Sequence, residues 1–179
     1  METRAVLAVV AVVSAVFAAQ AAARSIDPPD WKQCDPSWAD VHRGNSSKTI
    51  CDQGNTETCI AMLLASRGYK GNPGTLVEWL SNNDGYHCFA GSDLCLLVDS
   101  KTDELGFSKY YGLWDNKGYS VCYQVCAYIE KGYGILAWDN HNFLITSCNA
   151  EAKQFNVRDP TGNQTTLMFS QPCQFELFE

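Results

Sequence analysis

The sequence TICDQGNTETCIAM, residues Thr49–Met62, decides how the rest of the chain is interpreted. Apolar residues are dense from Asn55 to Arg67, which predicts a largely buried helix, and Gly68 follows as a residue suited to a helix C-cap. Asn55 stands at the start of this helix. Its carboxamide oxygen can accept an unpaired backbone N–H there, so its local interpretation is an N-cap.

The pattern along the chain changes from helical to β. Pro73 opens a second, amphipathic helix, and a third is predicted near residues 120–130. The last third consists of short β-rich runs separated by turn residues, at Gly134–Trp138, Asn142–Cys148, Lys153–Asp159 and Thr165–Phe169. Helices followed by an antiparallel sheet predict an α+β fold, with N-terminal helices packed on a C-terminal sheet.

The first 23 residues have the composition of a secretory signal peptide. Arg4 is followed by the apolar stretch Ala5–Ala19, and the small residues Ala21 and Ala23 fit an A-x-A cleavage site. The apolar stretch is short for a membrane span. We therefore predict a signal peptide at residues 1–23, one domain at residues 24–179, and a secreted protein that does not stay in a membrane after signal removal.

Cysteine usage agrees with export. All nine cysteines follow the predicted signal, and in an exported chain they indicate a disulfide framework rather than a metal site. An odd number leaves one thiol free, and we expect this to be Cys59 because it lies inside an apolar helical pattern. Cys88 and Cys95 are close enough to form a bridge across the loop between them. The pairing of six further candidates stays open: Cys34, Cys51, Cys122, Cys126, Cys148 and Cys173.

Composition narrows the classes of partner. A formal net charge of -7 without a cluster of Lys or Arg argues against nucleic acid. The sequence predicts no metal site and no cofactor, since it has only three His and no second pair of ligands at zinc-like spacing. Asn45 and Asn163 each begin an N-x-S/T tripeptide in turn-like surroundings, which makes them candidate glycosylation sites. The partner classes that remain are a peptide, a glycan or an extracellular matrix.

Three residues complete, with position 55, the outline of a thiol-peptidase site. Such a site has a cysteine at a helix start, a histidine on a facing strand, a polar residue that orients the histidine, and an upstream amide for the oxyanion. His141 opens one predicted strand and Asp159 ends the next, so a hairpin would place them side by side, and Gln33 lies upstream of the helix. Each also has a plainer interpretation: a strand-end histidine bonded to Asp159, a turn residue before a proline, and a surface glutamine.

Four segments occur in a characteristic order: Gln33–Ala39, Thr49–Met62, His141–Ile145 and Val157–Gly162. Together they resemble the bacteriocin-processing (double-glycine-leader) cysteine peptidase-like domains of the papain-like superfamily, over nearly the whole predicted mature chain. The resemblance implies a papain-like fold, with His141 as general base, Asp159 as the residue that orients it, and Gln33 as the oxyanion-hole donor. Those relatives carry the nucleophilic cysteine directly after the glycine, where this chain has Asn55.

The substitution at position 55 leads to one expectation and two alternatives. Because a carboxamide offers no thiolate, we expect a secreted, disulfide-rich, catalytically inactive peptidase-like protein with a structural or binding role outside the cell, such as in a cell coat or cyst wall. The first alternative is an active cysteine peptidase that uses a displaced thiol, Cys51 or Cys59. Cys59 lies one helical turn beyond position 55, displaced by about 6 Å, which is too far for a histidine placed to serve that position. The second alternative is a secreted inhibitor or ligand-binding module that uses the cleft beside His141.

Overall fold

A computed structural model describes residues 26–179, and the signal peptide predicted at residues 1–23 lies outside the described residues. Four α-helices are present in this part of the chain: α1 (Ile50–Gln53), α2 (Asn55–Ser66), α3 (Pro73–Asn82) and α4 (Tyr119–Glu130). A 3₁₀ helix spans Asp99–Leu105. Within residues 26–179, no helix is both long enough and apolar enough to cross a bilayer.

Eight strands in residues 26–179 form two antiparallel sheets. The strands are β1 (Tyr86–Cys88), β2 (Cys95–Leu97), β3 (Tyr110–Asp115), β4 (Gly134–Asp139), β5 (His141–Asn149), β6 (Gln154–Arg158), β7 (Thr166–Met168) and β8 (Gln174–Phe178). Strands β1 and β2 pair as an isolated hairpin, and the six others form one sheet in the order β3-β8-β4-β5-β6-β7. The α+β prediction is confirmed, and β4 to β7 lie where the sequence predicts strands.

The sequence prediction misses four strands: β1 and β2 of the small hairpin, and β3 and β8 of the large sheet. Strand β8, at the end of the chain, lies between β3 and β4 and pairs antiparallel with both. Leu177 of β8 stands opposite Gly112 on one side and Ile135 on the other. The sheet therefore extends the predicted four-stranded meander by two strands, one of which comes from the middle of the chain.

The sheet carries a layer of helix on each face, with two clusters of buried side chains between the layers. Helix α2 is buried almost all round, because every residue from Glu57 to Leu64 is inaccessible to solvent, and it packs on Leu136 and Leu144 of β4 and β5. Helix α4 places Val125 and Ile129 in a second cluster. The aromatic members of that second cluster come from the sheet and its turns: Phe143, Phe155, Phe169 and Phe175.

Gly68 ends α2, as the sequence predicts. The residue adopts a φ of +102°, which L-residues with a side chain rarely adopt. Its N–H donates to the carbonyl of Ala65, and the N–H of Tyr69 donates to the carbonyl of Leu64. These two hydrogen bonds form the Schellman motif that satisfies the last carbonyls of a helix.

Three disulfides link Cys34 to Cys51, Cys88 to Cys95, and Cys126 to Cys148. The predicted bridge between Cys88 and Cys95 is confirmed, and so is the free thiol at Cys59. The prediction that Cys122 and Cys173 also lie in bridges is wrong for this structure, where both are thiols. The physical reason is placement, because the Cys122 side chain is buried beneath α4 while the Cys173 side chain points to solvent.

Candidate functional site

Gly54 places Asn55 at the first position of α2. Helix α1 begins with a capping box, in which the Asp52 N–H donates to Thr49 Oγ1 and the Thr49 N–H donates to the Asp52 carboxylate. The short helix then closes on Gly54, where an added Cβ would lie only 2.6 Å from the Ile50 side chain. A residue with a side chain would therefore separate the two helices and move position 55.

The Asn55 side chain makes a tertiary hydrogen bond instead of a helix cap. Its Oδ1 accepts the backbone N–H of Asn142 at 3.0 Å, and the neighbouring Thr56 Oγ1 accepts the Asn142 side-chain amide at 2.7 Å. The N-cap of α2 is Gly54, which makes no side-chain capping bond. The N-cap interpretation of Asn55 is thus wrong, because β5 supplies a backbone donor that the sequence could not reveal. The contact brings the start of α2 beside the start of β5.

His141 and Asp159 lie together, because β5 and β6 form an antiparallel hairpin. His141 Nε2 is 3.0 Å from Asp159 Oδ1, and the Thr161 hydroxyl is 2.8 Å from both atoms. Both oxygen partners meet the same ring nitrogen. Thr161 therefore helps to position the ring and does not stand on the opposite nitrogen, where a hydroxyl nucleophile would have to be.

The carboxylate of Asp159 is held by donors from the turn that follows it. Its burial opposes ionisation, but the N–H and hydroxyl of Thr161, the ring of His141 and the N–H of Gln164 outweigh it and hold the pKa at about 2. The turn closes tightly at Gly162, where an added Cβ would lie 2.8 Å from Asp159 Oδ2. Asp159 is consequently a fixed anion beside His141 at neutral pH.

Gln33 is buried behind the site, so its interpretation as a surface residue is wrong. Its side-chain amide donates to the carbonyl of Cys51 at 2.8 Å, and its backbone N–H donates to the carbonyl of Pro160 at 2.8 Å. Gln33 Oε1 is buried without a hydrogen-bond partner among the described residues. The residue connects the helix side of the site to the turn after Asp159, with one amide hydrogen directed at protein backbone.

Neither thiol of the displaced-nucleophile hypothesis is available for attack. Cys51 is bonded to Cys34. Cys59 is fully buried, and its Sγ lies 3.5 Å from the carbonyl oxygen of Asn142. Burial raises the pKa of the Cys59 thiol well above its usual range, and the neighbouring carboxylates add to the effect. A buried, protonated thiol is a weak nucleophile, so this structure argues against that alternative.

Three residues of the site were missed by the sequence prediction: Thr56, Asn142 and Thr161. Asn142 and Thr161 each lie within two residues of a predicted site residue, but polar residues beside turns are too common to single out. The two candidate glycosylation residues, Asn45 and Asn163, are both exposed. No protein-family model, curated protein or solved structure gives a significant match to this chain.

Proposed function

We propose that this chain is an exported, catalytically inactive member of the papain-like superfamily that serves a binding or structural role outside the cell. The single observation that carries the proposal is the position of Asn55. Its side chain stands at the start of α2 and accepts a hydrogen bond from the residue after His141. By the sequence resemblance, this is the position at which the bacteriocin-processing peptidases carry their nucleophile. A carboxamide at that place has neither a thiolate nor a hydroxyl with which to form an acyl intermediate.

The surrounding contacts support a site that has lost only its attacking atom. The ring of His141 remains bound to an ionised Asp159, which is the arrangement of a general base and its orienting group. Gln33 remains packed between the helix side and the Asp159 turn. The hydrogen bonds of His141, Asp159 and Gln33 keep the surface beside α2 and β5 in one conformation, whether or not a reaction occurs there.

The three disulfides are consistent with a fold that stays stable outside the cell. The bridges tie the segment before α1 to α1, close the β1–β2 hairpin, and tie α4 to β5. Disulfides of this kind persist in oxidising compartments and are rare in the cytosol. The exposed positions of Asn45 and Asn163 would admit glycans on the folded surface.

The first experiment tests catalysis. Purified mature protein is incubated with a peptide library that includes double-glycine sequences, with and without a thiol-alkylating inhibitor. We expect no turnover above that of the Asn55→Ala variant, which lacks the carboxamide and adds no nucleophile. Turnover by the wild-type chain that the inhibitor abolishes would overturn the proposal.

The second experiment tests export. The full chain and a chain without residues 1–23 are expressed in eukaryotic cells, and the medium is assayed for each. We expect only the full chain in the medium, with a mass that falls on glycosidase treatment. Single Asn45→Gln and Asn163→Gln variants assign any glycan to its site. Retention of the full chain inside the cells would contradict export.

A further inference from the structure

Cys122 and Cys173 lie on two sides of one residue, Asn116. The Cys122 Sγ is 3.9 Å from Asn116 Oδ1. The Cys173 carbonyl accepts the backbone N–H of Asn116 at 2.8 Å, and the Pro172 carbonyl accepts its side-chain amide at 2.6 Å. The Asn116 side chain therefore touches both the thiol on α4 and the turn that carries the second thiol.

The Cys122 thiol also contacts the turn formed by residues 169–173, which carries Cys173. Its Sγ lies 3.4 Å from the carbonyl oxygen of Phe169, where the 169–173 turn begins. The side chain of Cys122 is fully buried, whereas that of Cys173 is exposed at the edge of a cavity of about 480 Å³. Residues 169–173 belong to no helix or strand, and Cys173 is held there by two backbone hydrogen bonds, one to the Trp138 carbonyl and one from the Asn116 N–H, each 2.8 Å long.

No other partner is placed as well for either thiol. Six of the nine cysteines are already bridged. The ninth, Cys59, belongs to the other buried cluster, where its Sγ faces the Asn142 carbonyl between α2 and β5. Cys122 belongs to the cluster beneath α4.

We propose that Cys122 and Cys173 are a redox-active pair that closes into a fourth disulfide when the protein meets a disulfide oxidant. The closure requires Cys173 to turn inward, past the Asn116 side chain, and to release its backbone hydrogen bonds to Asn116 and Trp138, because a disulfide holds its two Cα atoms within about 7 Å of each other. Asn116 keeps the two thiols apart in the reduced state.

The exchange takes place in two balanced steps. The exposed Cys173 thiolate attacks one sulfur of a small disulfide, such as glutathione disulfide, and releases one glutathione thiolate. Burial raises the pKa of the Cys122 thiol, so the second step follows the movement of the turn that exposes it: the Cys122 sulfur gives its proton to the solvent, attacks the mixed disulfide, and releases the second glutathione as a thiolate. The two protein thiols are oxidised by two electrons, and one glutathione disulfide is reduced to two thiols.

Closure would fasten α4 to the sheet at two successive turns. Cys122 and Cys126 are four residues apart, so their side chains lie on one face of α4, and Cys126 is already bonded to Cys148 of β5. The new bridge would join the preceding turn of the helix to the segment just before β8. It would also draw one wall of the 480 Å³ cavity inward, since Cys173 lines that cavity.

The test counts free thiols in the full mature chain after incubation with glutathione disulfide. The protein is then denatured without reductant, alkylated with iodoacetamide, and analysed as an intact mass and as a peptide map. We expect one alkyl group per chain, on Cys59, instead of the three expected for the thiol form. The peptide map should contain a linked pair of peptides that carry Cys122 and Cys173.

Two variants serve as controls. Cys173→Ser should accept two alkyl groups, and Cys59→Ala should accept none after oxidation. Three alkyl groups on the treated wild-type chain would overturn the proposal. Three other results would overturn it equally. They are glutathione retained on Cys173 with Cys122 still alkylated, a bridge from either residue to another cysteine, and a dimer linked through Cys173.

Discussion

At the scale of single residues, Asn55 works through its side-chain oxygen. The sequence places this residue at a helix start, and a local argument makes it an N-cap. The structure instead uses its Oδ1 to accept the Asn142 N–H of a strand that lies far away in the sequence. Local patterns name the candidates for a site, but they cannot reveal a donor that only the tertiary fold brings into reach.

Replacement of Asn55 tests that hydrogen bond. We predict that Asn55→Ala lowers the free energy of unfolding by about 1–2 kcal/mol, because the Asn142 N–H loses its acceptor. Asn55→Asp keeps an acceptor of the same shape and adds a negative charge at a helix start, so it should stay within about 0.5 kcal/mol of wild type at neutral pH. Urea denaturation measures both. Equal losses for the two variants would contradict the assigned role of Oδ1.

The lowered pKa of Asp159 leads us to predict that the folded chain loses stability in acid. Its pKa of about 2 lies below the ordinary value of 3.8. The ionised carboxylate therefore stabilises the folded chain above the ordinary pKa, and this contribution disappears as the pH falls through about 2. The Asp159→Asn variant should be less stable than wild type by about 1–2 kcal/mol at pH 5, with the difference shrinking towards pH 2. A difference that stays constant with pH would show that the charge is irrelevant.

At the scale of elements, one arginine fastens the C-terminal end of helix α2 to the ends of the neighbouring sheet strands. Arg67 follows the last helical residue and donates through both terminal nitrogens. Its partners are the Ser108 hydroxyl and four backbone carbonyls, at Phe107, Gly132, Phe178 and Glu179. The planar guanidinium suits such a set of acceptors, whereas a lysine offers one nitrogen.

Substitution of Arg67 should therefore be costly even when the charge is kept. We predict that Arg67→Lys lowers the free energy of unfolding by about 2–3 kcal/mol, since several carbonyls lose a charged donor. Lys70→Ala, at an exposed position three residues further on, is the control and should change it by less than about 0.5 kcal/mol. An Arg67→Lys variant as stable as the control would show that water replaces these bonds without loss.

The strands divide according to how local their pairing is. The β4–β7 meander joins neighbours in sequence through short turns, so alternating apolar residues and turn signals predict it. Strands β3 and β8 are separated by more than fifty residues, and β3 adds a bulge between Tyr110 and Gly112. No local pattern selects the partner of such a strand. The same limit explains why the sequence predicts the Cys88–Cys95 bridge and leaves the two longer disulfide pairings open.

At the scale of the whole molecule, the interior holds more carboxyl groups than the nearby basic side chains can neutralise. Glu57 is fully buried, with Oε1 bound to Arg43 at 2.6 Å and to the Tyr86 hydroxyl at 3.1 Å, while its Oε2 has no partner among the described residues. Burial and the charges of Asp99 and Glu57 raise the pKa of Glu176 to about 8. Burial, with Glu57, raises that of Asp99 to about 6.

Stability should consequently be greatest in mildly acidic solution. Between its ordinary pKa of 4.5 and about 8, Glu176 binds a proton in the folded chain that it lacks in the unfolded chain, so stability falls as the pH rises through this range. We predict that Glu176→Gln removes on the order of 2 kcal/mol of the loss between pH 5 and pH 8. Denaturation curves at the two pH values measure it. A wild-type chain equally stable at both would contradict the raised pKa.

We propose that the site retains its supporting groups and lacks only the attacking atom. The most direct test is the thiol pKa of the Asn55→Cys variant, from the pH dependence of alkylation of the folded protein, with Asn55→Cys/His141→Ala as the matched control. We predict a new thiol with a pKa below about 7.5, because a helix start and a neighbouring imidazolium favour thiolate, and a higher pKa in the double variant. A new thiol with an ordinary pKa near 8.5, unaffected by loss of His141, would show that the supporting groups do not act on position 55.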